Sequence, residues 1–307
     1  MIKKISINKF VCASLSLVLM LLFYFFPSNS DLELEYNVDV IESSSTEVVY
    51  LLDNDYYLSK LNVFIDETDI KTLIEEKLLV LRDGSSDFDK FNTLIPQNTK
   101  IIDISVDKTS VFINFSKELL DVKKELEEKM IEAIVYSLTE INGINDIYIK
   151  VEGELLTMLP NSKKKLDQPL NRSFGINKEY DLINFNNIDK TTVFFIKEED
   201  DFKYYVPVTK ISNEKTDKID IIINELQSSV NYSSNLMSYL SNSAKVEDYN
   251  ITENTMNIVF NEFIFDEANN NILEEVKYTI GYSVLENYEV NKVNFIINDE
   301  KVIELVK

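Results

Sequence analysis

Val48 and Val193, Asp103 and Asp248, Val106 and Ile251, and Phe115 and Phe260 form matched pairs, each separated by 145 residues. Tyr136 and Tyr282, Ser137 and Ser283, and Ile147 and Val293 are separated by 146. A register held to within one residue over that length is duplication of a whole domain, because solenoid periods run from about 20 to 50 residues. The chain must therefore fold as the same small unit twice, behind an N-terminal segment that is not repeated.

Composition narrows the chemistry. Of 307 residues 45% are hydrophobic, enough for packed cores. With 31 Lys+Arg against 53 Asp+Glu the net charge is −22, which argues against nucleic acid, whose phosphates need a basic surface. The chain has no histidine, which removes the commonest general base and zinc ligand. Its single cysteine, Cys12, excludes a disulfide within one chain. Tryptophan is absent, and five glycines leave no Gly-rich phosphate loop. No cofactor, metal site or catalytic residue is expected.

Lys3, Lys4 and Lys9 precede an uncharged run from Phe10 to Phe26, and Asp31, Glu33 and Glu35 follow it. That asymmetry sets the N-terminus in the cytoplasm and the rest outside. Phe10, Leu15, Leu19, Leu22 and Phe26 would line a membrane anchor over residues 1–30. The run fits a retained anchor or a signal cleaved after Ser30, in which case the product is secreted. Residues 31–46, acidic and serine-rich, read as a spacer.

Each copy reads as ββαββαβ, two helices on one face of a mainly antiparallel sheet, an α+β fold. A hairpin around Asp53-Asn54-Asp55 is matched by one around Lys197–Asp201. A helix over Ile70, Ile74, Lys77/Leu78 and Leu81 ends at Asp83-Gly84 and is matched by Ile219, Ile222, Ile223 and Leu226. Alternation then sets Val111, Ile113 and Phe115 on one strand face, and Met256, Ile258 and Phe260 on its counterpart. A second helix and a closing strand complete each unit. The domains run over 47–175 and 190–307, with a linker at 176–189. Val106, Phe115, Ile134 and Tyr136, with Ile251, Phe260, Ile280 and Tyr282, are the expected repeat cores.

Several pieces, in order, carry a family resemblance: Leu79-Val80-Leu81-Arg82-Asp83-Gly84, Leu94-Ile95-Pro96-Gln97-Asn98-Thr99, and Val111-Phe112-Ile113-Asn114-Phe115-Ser116 with Leu119. A long helix before Gly143 follows, then Leu155 to Leu159-Pro160 and Pro169-Leu170-Asn171-Arg172. The first copy resembles the GerMN domain of sporulation and germination proteins; the second resembles it in outline, keeping the strand at Ile258-Val259-Phe260-Asn261 but lacking the proline at Tyr239-Leu240-Ser241-Asn242-Ser243. The resemblance implies tandem GerMN domains behind a membrane signal and a non-enzymatic role on the extracytoplasmic side of the cytoplasmic membrane, as a scaffold or assembly protein. It also implies envelope-protein partners, including self-association through modules similar to those that build secretion rings. No lipobox is evident. A module binding a peptide or an envelope polymer between the domains is the alternative.

Other carboxylates have simpler readings. Asp53/Asp55 and Glu198–Asp201 lack calcium-loop spacing and read as solvated hairpin tips. Glu127/Glu128 and Glu274/Glu275 sit at helix starts, where carboxylates complement the dipole, rather than as a glycosidase pair. Lys163-Lys164-Lys165 reads as a solvated loop, or as a patch for an acidic neighbour. Pro207, taken as the counterpart of Asn62, marks an edge strand. On that basis the first domain is expected to be the more adhesive.

Overall fold

The computed structural model describes residues 46–184, 186–213, 215–228, 235–266 and 271–307. The first copy runs β1 (Thr46–Leu52), β2 (Leu58–Phe64), α1 (Ile70–Asp83), β3 (Ile101–Asp107), β4 (Ser110–Phe115), α2 (Glu127–Leu138), β5 (Asp146–Val151) and β6 (Glu154–Leu155). After β7 (Glu179–Asp181), the second runs β8 (Asp189–Glu199), β9 (Phe202–Ser212), α3 (Lys218–Ser228), β10 (Val246–Thr252), β11 (Thr255–Phe260), α4 (Glu274–Asn287), β12 (Lys292–Ile297) and β13 (Glu300–Val306). The fold is α+β. Each copy carries one strand more than its sequence suggested, because β6 and β13 return after two-residue turns. Those turns use positive φ at Glu152 and Gly153 (51° and 88°) and at Asn298 and Asp299 (51° and 65°), the geometry that matches strand twist.

The sheets are also divided differently. In each copy the last four strands form their own sheet, β3-β4-β5-β6 and β10-β11-β12-β13. The central pair is parallel, since a helix crosses over between its strands. The first hairpins leave their copies' sheets and join in one five-stranded sheet, β1-β2-β9-β7 with β8 on β9. Residues 45–307 consequently form one compact unit.

Repetition extends to single hydrogen bonds. The Tyr50 N–H donates to Ser137 Oγ and the Phe194 N–H to Ser283 Oγ, both at 2.9 Å. Tyr50 meets Tyr136 edge-on at 5.6 Å, and Phe194 meets Tyr282 at 5.5 Å. Tyr50 is thus the structural counterpart of Phe194, and the partner of Val193 is Val49, not Val48. Both four-stranded sheets carry a bulge at the same place, between Ile101 and Asp103 and between Val246 and Asp248.

Phe115, Ile134, Tyr136, Phe260 and Ile280 are buried. Val106 and Ile251 are not core residues: they are 38% and 47% exposed. Each lies near the end of an edge strand, opposite a buried Val111 or Met256, where the residues on either side of it are exposed as well. Tyr282 is half-buried, because it faces the junction between the copies rather than the centre of its own. Lys77, on the α1 stripe, is fully buried; its Nζ reaches the Val48 carbonyl and Glu47 at 2.8 Å. Phe10, Leu15, Leu19, Leu22 and Phe26 lie outside the described residues, among which no helix is long and apolar enough to cross a membrane.

Ser137→Ala and Ser283→Ala should each leave a buried strand N–H without an acceptor. We predict losses of about 1–3 kcal/mol for each in denaturant unfolding. A change at one site with none at the other would contradict the equivalence.

Candidate functional site

The two copies meet where β2 runs antiparallel to β9, and Lys60 faces Tyr205. Lys60 stands opposite Tyr50 in its hairpin, as Pro207 stands opposite Phe194. Pro207 therefore corresponds to Lys60, not to Asn62. Continuing the register past Lys60 and Tyr205 sets Leu58 opposite Pro207, the same contact viewed from the other copy. Proline has no N–H, so that rung cannot close by itself. Asn177 closes it. Its Nδ2 donates to the carbonyls of Leu58 (2.8 Å) and Pro207 (2.7 Å), and its Oδ1 accepts the Leu58 N–H (2.9 Å). Pro207 is buried, so it does not mark an open edge, and the greater adhesiveness expected of the first copy loses its basis.

Local sequence puts the Asn177 amide there. Gly175, at φ 80°, lets the chain pass Thr209 so closely that a Cβ would lie 3.1 Å from Thr209 Cγ2. Ile176 then exchanges bonds with Thr209: its carbonyl accepts the Thr209 N–H, and its N–H donates to Thr209 Oγ1, each at 2.9 Å. Asn177 adopts φ 48°, a region asparagine tolerates, and its N–H donates to the buried Glu132 (3.0 Å). Beyond it β7 pairs with β9, Glu179 opposite Lys210. Residues read as linker from sequence are thus stitched to the second copy.

Beside this junction lies a charged quartet. Glu140 and Glu286, equivalent residues one turn past Tyr136 and Tyr282, both hold Arg172. Nε donates to Glu286 at 2.8 and 2.9 Å, and the terminal nitrogens reach Glu140 at 3.4 Å. Lys60 lies 3.6 Å from Glu140, and Tyr50 donates its hydroxyl to the same carboxylate at 2.7 Å. Each cation also covers one of the matched tyrosines. Arg172 is 4.4 Å from the Tyr136 centroid, and Lys60 is 4.2 Å from that of Tyr282. Burial alone would raise the Glu140 carboxyl; Arg172 and Lys60 overcome it and hold it at about 2. Burial also lowers Lys60 and raises the hydroxyl of Tyr282, the latter to about 12.

Several of the other carboxylates named from sequence have partners of their own. Asp53 is not a solvated tip. It is 2% exposed, pairs with Lys197 of the second copy at 2.8 Å, and accepts the N–H groups of Asp55 and Tyr57. Asp55 joins the same lysine at 2.6 Å, and Asp200 takes Lys90 at 2.5 Å. Glu127 accepts the N–H groups of Asn161 and Ser162, both at 2.7 Å, while Glu128 takes Lys164 and Lys178. Glu275 pairs with Lys203 at 2.6 Å. These side chains hold segments together, and the chemistry of the junction is cohesion between copies. Sequence reading singled out none of Lys60, Glu140, Asn177 and Glu286, and named Arg172 only as the end of the motif Pro169-Leu170-Asn171-Arg172. The available signal was that Glu140 and Glu286 recur at the same 146-residue offset as the tyrosines.

A family model described as "Sporulation and spore germination" (Germane) matches residues 48–157. The spore germination protein GerM of Bacillus subtilis (strain 168) is 31% identical over 217 residues, which are 68% of this chain and 58% of GerM. The solved tandem GerMN domains of GerM from Bacillus subtilis are 26% identical and superpose with a TM-score of 0.75, covering 84% of this chain and 92% of that one. The chain belongs to the GerM-like family with tandem GerMN domains. One superposition takes in both GerMN repeats together. The quartet and the Asn177 amide occupy the seam between them. The match spans less than two thirds of the curated relative's own length.

Arg172→Met should leave Glu286 at the GerMN seam without its cation and Glu140 with Lys60 and the Tyr50 hydroxyl alone. A loss of about 3–5 kcal/mol at neutral pH is predicted. The acid limb should change as well. Glu140 is held below its ordinary 4.5, so its contribution is complete above that value and disappears as pH falls towards 2. It amounts to about 3 kcal/mol. The variant should lose little further stability over that window. An unchanged acid limb in urea titrations between pH 6 and pH 2 would contradict the assignment.

Proposed function

We propose that the chain is a membrane-tethered assembly module working outside the cytoplasmic membrane in spore formation or germination, with no enzymatic activity of its own. One observation carries this reading: similarity to GerM runs through both repeats, and the seam commits both to a single body. The tether is the run from Phe10 to Phe26, with lysines before it and acids after it. Envelope proteins, or further copies of this chain, are the partners. Edge strands β3 and β10, each paired on one side within its sheet, offer the backbone groups through which such modules associate. A second reading, recognition of a peptide or envelope polymer, draws on a cleft of about 450 Å³ at the seam, whose walls carry Lys190 and Lys218 together with Asp189 and Glu286, a mixed-charge lining.

Removing the coding sequence from a sporulating culture should lower the yield of heat-resistant spores. The full chain should restore it, and a chain lacking residues 1–30 should not. Protease added to intact protoplasts should degrade the GerMN repeats. Normal spore yield, or protection from protease, would contradict the proposal. Crosslinking in the native membrane that captures cell-wall polymer but no protein would favour the second reading.

A further inference from the structure

Four aromatic rings close a circuit between the two repeats. Phe88 meets Phe91 with centroids 5.9 Å apart, Phe91 meets Tyr204 at 5.1 Å, Tyr204 meets Phe202 at 5.8 Å, and Phe202 returns to Phe88 at 5.7 Å. Phe88 and Phe91 belong to the loop after α1, whereas Phe202 and Tyr204 belong to β9. All four line a cavity of about 240 Å³, with the carboxylates of Asp87, Asp89 and Glu199 among its other walls. Phe202 is 44% exposed and Tyr204 only 3%, so the circuit has an open side and a closed floor. The Tyr204 hydroxyl is turned to Asp53, 3.4 Å away, which leaves its ring as the wall. Lys90 also lines the cavity, but its ammonium is held by Asp200.

All four rings border this one cavity, so a body held in it is within the ~6 Å range over which cation–π attraction acts. The carboxylates give the site the matching sign. A primary ammonium could use only the carboxylates at the cavity's rim and would leave N–H groups unpaired against the rings, whereas a quaternary ammonium has no N–H to satisfy and its methyl groups pack on the rings. We propose that this cavity binds a small quaternary ammonium cation of the choline type. Because its walls come from both repeats, an occupant bound only by the folded chain stabilises the seam. The inference does not rest on the proposed assembly role.

The chain contains no tryptophan, so Phe202→Trp places a single indole in the wall. The full-length variant, in a non-ionic detergent, is titrated with choline chloride, with methylammonium chloride at equal ionic strength as the control. The expected result is a saturable change in indole emission, with choline bound about tenfold or more tightly than methylammonium, and a similar weakening when Phe88→Leu is added. In the chain with Phe202 intact, choline should raise the melting temperature, and Phe202→Ala should abolish that rise. Absence of saturation by choline concentrations on the order of 100 mM, equal affinity for methylammonium, or a melting shift that survives Phe202→Ala would each overturn the proposal.

Discussion

The amide of Asn177 stands where a backbone hydrogen bond cannot form. Pro207 has no N–H to offer, and its place beside Leu58 would otherwise leave a buried strand edge unsatisfied. By bonding the Leu58 N–H and the carbonyls of Leu58 and Pro207, Asn177 turns that gap into the join between the repeats. Much else follows from it. The chain must cross Thr209 closely at Gly175, adopt a left-handed turn at Asn177, and lie along β9 as β7. Arg172, three residues before Gly175, is thereby carried to a point between Glu140 and Glu286.

The quartet is better understood as a source of specificity than of net stability. Burying two cations and two carboxylates costs much of what their attraction returns, and a well-packed apolar cluster could hold the repeats equally well. An apolar cluster would not choose its alignment. Arg172 satisfies Glu140 and Glu286 together only when the ends of α2 and α4 approach with both tyrosines alongside. The Asp53–Lys197 pair, nearly sealed from water, imposes the same alignment at the hairpin tips.

Periodicity made most of the secondary structure legible. The alternation of Val111, Ile113 and Phe115, and the stripe containing Ile134, are intrinsic to one repeat and read directly from sequence. The separation of the first hairpins from their own sheets could not be read that way, since pairing between β2 and β9 depends on partners 145 residues distant. The site was hidden for a related reason. Asp53, Glu140 and Glu286 look like ordinary surface acids until the other repeat buries them. Pro207 was legible as a break in strand pairing, but not as a break that another side chain fills. The exposure of Val106 and Ile251 shows the limit of repeat matching, because equivalent positions share an environment without that environment being a core.

Two GerMN repeats locked in this way present their edges and cavities in a fixed relation. The account stands on the seam making one cooperative body. Calorimetric unfolding of the chain in non-ionic detergent tests it most directly. A single transition, with calorimetric and van't Hoff enthalpies in agreement, is the predicted result. Two resolved transitions, one for each repeat, would contradict it.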